Sequence, residues 1–510
     1  MKALGTVYLV GAGPGDPGLI TVKGDTLLRR AGAVVVDRLV AGRLLRACAP
    51  SAKIIYAGKE GGGASTPQAS INRLLVKLAR KHETVVRLKG GDPFLFGRGG
   101  EEALALRQAG VACEIVPGVT SAIAVPAYAG IPVTDRRMAS SLAVVTGHED
   151  PEKKESALDW PRLATATDTL VCLMGLSTLP RLVGRLTEHG RPAQTPAAVI
   201  QWGTTAAQRT IDGTLKSIVA AVAKAKIKAP AILVVGNVVR LRGKLAWFEK
   251  RPLFGQRILV TRASDKAAGL AGMLEDQGAS VELLPAITLE PVKATGIFRE
   301  ALNAIPRTHW VFFTSPEGIG WFAKALKAGR KDLRILAGCY IGAIGIKTAQ
   351  AIESFGVHVD FVPRAFSQEG MLRDFPKRVL KGKRALIFSA LNSRDVLDAG
   401  LKKHGMHVKK VPIYQTAPPK QMNGLVPELF AQPFDLVTAT SASCVEHLYA
   451  ALESTGRRRL FGSLRFATIG PVTSQAVRKR GGRVMVEAPV ATIEGLAEAL
   501  IRYSRKRKTA

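Results

Sequence analysis

The stretch VRLKGGDPFLFGRGGEE, running from Val86 to Glu102, decides how the first half of the chain is read. An apolar strand, Thr84–Leu88, passes into Gly90-Gly91-Asp92-Pro93. Beyond an aromatic wedge of Phe94 and Phe96 come Gly97-Arg98-Gly99-Gly100 and a helix opening on Glu101 and Glu102. Two glycine-rich turns this close together suit a place where backbone must approach a ligand. Outward from it, apolar runs at Val7–Val10, Ala33–Val36, Leu142–Val145, Thr169–Met174 and Ala231–Val235 alternate with helical stretches such as Ile71–Lys81. That alternation predicts an α/β architecture with a largely parallel sheet. The Pro- and charge-rich connector His148–Pro161 predicts a break between two α/β lobes, about 1–147 and 148–250. A sharper boundary falls at Phe248–Pro252, before a new strand at Arg257–Thr261.

The chain has 510 residues, too many for one core, and a prior of about 150 residues per domain predicts three or four. Its 47% hydrophobic and 22% charged residues are globular in composition. No apolar run approaches the roughly 18 to 20 residues of a membrane span, and Met1-Lys2 leads straight into a strand, so no membrane association and a cytoplasmic location are expected. The five cysteines, Cys48, Cys113, Cys172, Cys339 and Cys444, lie far apart and mostly in apolar runs, which predicts buried thiols. No disulfide framework and no metal site are expected, and the histidines show no ligand spacing. The net charge of +33 invites a nucleic-acid reading, yet it divides evenly, +15 over residues 1–250 and +18 over 251–510. Only Arg505–Lys508 forms a basic cluster, so no nucleic-acid partner is expected; clefts for polycarboxylate substrates fit the charge as well.

The strand Tyr8–Val10 followed by GAGPGD imitates a dinucleotide-binding fingerprint, with Asp37 near the position of a ribose-binding acid. Pro14 and Pro17 fall where free backbone amides should open the phosphate-binding helix, and the third glycine is out of register. The dinucleotide reading is rejected on those grounds.

The segments YLVGAGPGDPGLIT (Tyr8–Thr21), Val86–Glu102, EIVPGVTSAIAVPAYAGIP (Glu114–Pro132) and VTGH (Val145–His148) occur in the order and spacing of the tetrapyrrole methylases. The region Leu4–Glu249 most resembles uroporphyrinogen-III C-methyltransferase, including the closing LRGKLAWFE (Leu241–Glu249). The resemblance implies S-adenosylmethionine as methyl donor, held by Pro14, Gly90, Gly91, Asp92, Leu95, Thr120, Ser121, Met174 and Gly203, and a homodimer formed through this half. It implies Asp37 and Lys59 as the acid/base pair, with Asp37 able to accept a proton and Lys59 to donate one or clamp a propionate. The chain departs from the family in three places: Thr134-Asp135-Arg136 stands where Thr-His-Arg is usual, Lys59-Glu60 where Lys-Arg is usual, and Ser65-Thr66 near a common histidine. Each change makes the cleft less basic or removes a donor.

From about Pro252 the motifs PLFGQRILVTRA, FFTSPEGI and VPIYQT resemble uroporphyrinogen-III synthase. This half also repeats itself: Gly278 and Pro285 match Gly405 and Pro412, Thr314-Ser315 match Thr440-Ser441, Ile344-Gly345 match Ile469-Gly470, and Glu369-Gly370 match Glu494-Gly495, at spacings of 125 to 127 residues. Two copies of one α/β unit place a cleft between similar lobes. The resemblance implies that the chain crosses between them twice, one lobe combining about 252–287 with 415–510 and the other spanning 288–414. Hydroxyls and backbone amides at helix starts are the expected carboxylate-binding tools, which points to Thr314, Ser315, Thr348, Ser441 and Thr473 for substrate. Tyr414, after the strand Val408–Pro412, is the candidate for aiding departure of the substrate hydroxyl. The expectation is a bifunctional tetrapyrrole enzyme, siroheme or cobalamin route left open. Two alternatives also stay open, a methylase of a later corrin intermediate and an inactive, tetrapyrrole-binding C-terminal lobe.

Overall fold

A computed structural model describes residues 4–57, 66–148, 157–292, 295–376 and 381–509. The chain forms two compact units, Met1–Arg257 with Met273–Ser280 and Ile501–Ala510, and Ile258–Gly272 with Val281–Leu500. Each holds two five-stranded sheets flanked by helices.

In the first unit, one sheet runs in the order Lys53–Tyr56, Ala33–Val36, Thr84–Lys89, Thr6–Gly11, Cys113–Val116, with every pairing parallel. Its strands are buried on both faces, which is why they read as unbroken apolar runs. Val7, Leu9, Val35 and Val85 meet Leu75 and Leu106 on one face. Val10, Val34, Val86 and Leu88 meet Leu27 and Leu28 on the other. Thr6–Gly11 and Thr84–Lys89 are neighbours whose following helices, Val22–Arg30 and Gly99–Gln108, cover opposite faces. Their carboxyl ends therefore flank the point where strand order reverses, the usual place for a ligand crevice.

The second sheet corrects the expectation of largely parallel strands. Its order is Leu142–Thr146, Thr169–Leu173, Ala231–Val235, Pro196–Gln201, Arg209–Thr214, and only the first pair is parallel. Pro196–Gln201 and Arg209–Thr214 pair antiparallel across a seven-residue connection in which Trp202 and Thr204 take positive φ, 47° and 65°. Non-glycine residues in that conformation leave no obvious trace in a sequence.

The second unit shows the duplication directly. One sheet runs Ser280–Leu283, Arg257–Val260, Leu436–Ala439, Arg465–Thr468, Arg483–Glu487; the other runs Thr288–Pro291, His407–Ala417, Arg384–Ala390, Trp310–Phe313, Tyr340–Ala343. Matching strands keep the sequence offset, and Phe361, bridging to Gly342, occupies the place of Arg483–Glu487. Thr288–Pro291 is the added strand, antiparallel to His407–Ala417. The chain thus enters the second sheet at Thr288 and leaves it after Ala417. Aromatic packing of Phe313, Phe322 and Phe388 fills one core, and Phe461 and Phe466 fill the other.

No helix among the described residues is long and apolar enough to cross a membrane. Of the thiols expected to be mostly buried, Cys172 and Cys444 are buried, whereas Cys48, Cys113 and Cys339 are only partly so.

Candidate functional site

At the carboxyl end of the first sheet the two glycine loops pair with each other. Gly91 N donates to Gly13 O at 2.8 Å, Gly13 N to Gly91 O at 3.3 Å, and Ala12 N to Lys89 O at 2.7 Å. Both glycines have positive φ, 75° and 67°, which side-chain-bearing residues rarely adopt. These amides are consumed within the protein, and Asp16 caps only a short turn, Pro17–Leu19, before the helix starts at Val22. No pyrophosphate cradle forms, in agreement with the rejection of the dinucleotide reading.

Asp92 is engaged in a way its type alone does not reveal. Its Oδ1 accepts from the amides of Phe94 (2.7 Å) and Leu95 (3.1 Å), and its Oδ2 accepts from Gly118 N at 2.9 Å. The carboxylate therefore ties the Gly90–Asp92 loop to the Pro117–Gly118 turn. Gly118 fits there only without a side chain, since a Cβ would lie 2.3 Å from Gly91 O and 2.6 Å from Gly11 Cα. Sequence reasoning missed Gly118, although Pro-Gly closing the strand Cys113–Val116 was its visible signal. Gly90, by contrast, is uncrowded: a built Cβ would make only an ordinary contact, 3.7 Å from Leu39 Cβ.

The second lobe of this unit contributes exposed apolar residues at its own strand ends. Met174 follows Thr169–Leu173 with φ 56° and is 50% exposed, which removes it from the core; Trp202 follows Pro196–Gln201 and is 41% exposed. With Phe96 and Arg98, also at positive φ, backbone strain concentrates in the loops after the strands. Gly203 packs directly on Val125, where a Cβ would come within 2.2 Å of Cγ1. Leu95 packs on the second lobe's core. Asp16 N donates to Thr204 Oγ1 at 3.1 Å and Tyr128 Oη to Asp16 Oδ2 at 2.6 Å, linking the first glycine loop to both lobes. Burial first, then its bond to Asp16, pushes the Tyr128 phenol well above its ordinary range, so it remains a donor. Thr120 caps the helix Ser121–Tyr128, accepting from Ala122 N at 3.2 Å, and Ser121 is its first residue. Pro14, Gly90, Gly91, Asp92, Leu95, Thr120, Ser121, Met174 and Gly203 all lie within the first unit.

Asp37 lies at the end of Ala33–Val36, its side chain 34% exposed and its Oδ1 2.5 Å from Arg87 Nη2. Beneath it is a buried charge cluster. Arg87 Nε, Lys89 Nζ and Gln68 Nε2 donate to Glu102 Oε1 at 3.0, 3.1 and 3.0 Å, and Lys89 Nζ is 3.9 Å from Asp37 Oδ2. Burial and the neighbouring Arg87 pull the Lys89 ammonium below the ordinary lysine range, while Glu102 and Asp37 hold it up. Two cations at alternate positions of an apolar strand point to one face, and that spacing was the available signal for the cluster. Lys59, with Glu60 and Ser65, lies outside the described residues.

In the second unit Thr314, Ser315 and Tyr414 come together. Ser315 caps Pro316–Ala328, accepting from Gly318 N at 3.2 Å, and its Oγ is 2.8 Å from Tyr414 Oη. Thr314 Oγ1 donates to Phe388 O at 3.4 Å. Tyr414 is not beyond its strand, as the sequence suggested, but inside His407–Ala417 beside a register shift, and 6% exposed. Burial raises its phenol above the ordinary range, opposed by the Ser315 bond. Ser441 makes the equivalent cap in the other lobe, accepting from Cys444 N at 3.2 Å. Thr348 and Thr473 lie in the first turns of Ile346–Glu353 and Pro471–Lys479 and are 2% and 4% exposed.

Two family profiles cover the chain: "Tetrapyrrole (Corrin/Porphyrin) Methylases" matches residues 6–219 and "Uroporphyrinogen-III synthase HemD" matches 268–498. The "Porphyrin biosynthesis protein HemD" of Ruminiclostridium josui is 36% identical over 498 residues, 98% of each chain. The "Uroporphyrinogen-III C-methyltransferase" of Bacillus subtilis is 40% identical over 74% of this chain and 76% of that protein. A uroporphyrin-III C-methyltransferase structure from Thermus thermophilus, complexed with S-adenosylhomocysteine, is 40% identical over 46% of this chain and all of its own, with a TM-score of 0.40. The chain is a tetrapyrrole methylase joined to a uroporphyrinogen-III synthase domain. It belongs to the porphyrin-biosynthesis family that the R. josui protein represents.

Proposed function

We propose that the C-terminal half cyclises hydroxymethylbilane to uroporphyrinogen III and that the N-terminal half methylates this product twice, with S-adenosylmethionine, to precorrin-2. The observation that carries the reading is the pairing, on one chain, of a methylase fold bearing interlocked glycine loops with a duplicated synthase fold.

The residues present suit the methyl donor. Gly90 and Gly91 offer bare backbone without close crowding, Met174 and Leu95 offer apolar surface, and the Thr120–Ser121 helix start offers polar groups. S-adenosylmethionine, when bound, supplies an electrophilic methyl group. Asp92 keeps the two loops in register, and Asp37, held at Oδ1 by Arg87 with its Oδ2 3.9 Å from Lys89 Nζ, is the partly exposed carboxylate that takes a proton from the macrocycle. Positioning an electron-rich pyrrole against the donor is the larger contribution. In the other half, the Tyr414 hydroxyl assists departure of the substrate hydroxyl, and the Ser315 and Ser441 helix starts receive carboxylates. A cytoplasmic homodimer paired through the methylase half, acting on small tetrapyrroles without a metal, completes the proposal.

A second reading, methylation of a later corrin intermediate, is favoured by one feature. Asp135 stands where the family usually carries histidine, and its carboxylate accepts from Arg137 N at 3.0 Å, so this position offers an acceptor where histidine could offer a donor. Absorbance of the products formed from hydroxymethylbilane, with and without S-adenosylmethionine, separates the readings. Uroporphyrinogen III alone without the donor, and a dimethylated product with it, is the expected result. Cyclisation without methylation supports the second reading, and no cyclisation supports an inactive C-terminal lobe.

A further inference from the structure

Glu102 is fully buried, at the first turn of Gly99–Gln108, yet it does more than complement a helix end. Its Oε1 gathers Arg87, Lys89 and Gln68, whereas its Oε2 has no hydrogen-bond partner among the described residues. A buried carboxylate with an unsatisfied oxygen is costly, and an apolar replacement of such a cluster is often neutral or stabilising. Its placement therefore calls for a reason other than stability.

Geometry supplies that reason. Arg87 is a two-ended connector, its Nε on Glu102 and its Nη2 on Asp37, with Nη1 at 3.4 Å from Val35 O. Lys89 spans the same two carboxylates from the next position on that face of the strand. We propose that Glu102 is a positioning residue for Asp37, acting through Arg87 and Lys89 without touching substrate or methyl donor. With Glu102 in place the guanidinium has one orientation, and Asp37 is aimed by it. Without Glu102, Arg87 and Lys89 can both turn to Asp37 and draw its carboxylate down into the sheet. This inference rests on the methyltransferase reading and on the role of Asp37 within it.

The test is a double-mutant cycle in the full-length chain, using Glu102→Gln, Asp37→Ala and their combination. Methyl transfer to uroporphyrinogen III, S-adenosylhomocysteine binding and melting temperature are measured on each preparation. Glu102→Gln is expected to lower kcat by about tenfold to a hundredfold, with KM and S-adenosylhomocysteine affinity nearly unchanged. In the Asp37→Ala background the same substitution is expected to add no further loss, because its only route is through Asp37. Glu102→Asp, which keeps the charge, is expected to recover part of the rate. Parental kcat in Glu102→Gln, or an undiminished effect when Asp37 is absent, overturns the inference. A parent chain that does not methylate, or an Asp37→Ala variant as fast as the parent, overturns the underlying functional reading instead. If Glu102→Gln does not fold, Arg87→Lys enters the same cycle with the same expected outcomes, since it keeps the buried charge and removes only the forked reach to Asp37.

Discussion

Tyr414→Phe deletes one hydroxyl from a ring that is 6% exposed and packed with Phe313, Ile413 and Phe388. The ring contacts persist, so the structural cost reduces to the 2.8 Å bond with Ser315 Oγ. Ser315 is not orphaned by the change, because it still accepts from Gly318 N at 3.2 Å. A net hydrogen bond is worth about 0.5–1.5 kcal/mol, and with its partner still satisfied the lower end applies, a shift of a few degrees at most in melting temperature. If the phenol assists the leaving hydroxyl, cyclisation of hydroxymethylbilane should slow at least about tenfold, or 1.4 kcal/mol of barrier. The assay is the initial rate of uroporphyrinogen III formation beside a melting curve on the same sample. Ser315→Ala separates orientation from chemistry: it removes the helix cap, costing about 1 kcal/mol of stability, and leaves the phenol free to rotate. An intermediate rate loss is expected for it, and no additional loss when it is combined with Tyr414→Phe. Unchanged turnover in Tyr414→Phe would refute the argument and return the tyrosine to packing.

Asp92→Ala removes the acceptor of three backbone amides, so loss of S-adenosylhomocysteine binding in calorimetry is expected together with intact synthase activity; parallel loss of both activities in a folded protein would contradict independent sites. Gly118→Ala is expected to abolish cofactor binding more completely than Gly90→Ala, since its Cβ collides with Gly91 O at 2.3 Å whereas a Cβ on Gly90 makes only an ordinary contact, 3.7 Å from Leu39 Cβ; equal affinities would argue against the interlocked loops. Burial pushes the Cys172 thiol up to about 12, and burial with the nearby Glu102 charge pushes Cys113 up to about 11, so both stay neutral in the folded chain where an unfolded thiol ionises. Their contribution to stability is complete below about pH 9 and is lost as pH rises through the folded values; Cys172→Ala should flatten the fall of urea-unfolding free energy with pH above 9 by up to about 1.4 kcal/mol per unit. An unaltered slope would show that this thiol titrates alike in both states.

What could be read from the sequence followed from how strongly each element advertises its surroundings. Ala33–Val36 and Ala231–Val235 are buried on both faces and appear as uninterrupted apolar runs, so their positions and ends coincide with expectation. The helix expected at Ile71–Lys81 spans Gln68–Ala79, because Pro67 sets its start and the polar Gln68 turns inward to Glu102. In the second sheet the connection between Pro196–Gln201 and Arg209–Thr214 has Trp202 and Thr204 in a left-handed backbone, which side chains of those types do not announce. Helix capping also competed with ligand binding at every Ser/Thr candidate. Ser315 and Ser441 do cap helices, and neither role was separable from composition alone.

The candidate site was legible by residue and illegible by partnership. Asp92 was placed at the loop by its neighbours, but nothing near it in sequence indicates that Gly118, 26 residues away, takes its Oδ2. Glu101 and Glu102 look equivalent at a helix start, yet Glu101 pairs with exposed Arg98 while Glu102 lies at the centre of a buried cluster 15 residues from Arg87 and holding, through it, Asp37. The difference comes from one residue of helix register, about 100° of rotation, which faces Glu102 toward Arg87 and Lys89 and leaves Glu101 paired with Arg98. Because Asp37 meets Arg87 and Lys89 only where Ala33–Val36 pairs with Thr84–Lys89, and Gln68 meets Glu102 only between helices, the assembled cluster depends on the sheet order, which local pattern does not specify. A chemistry resting on Asp37 is therefore sensitive to residues that a motif never includes, and Arg87 and Glu102 are the two through which that sensitivity should first be seen.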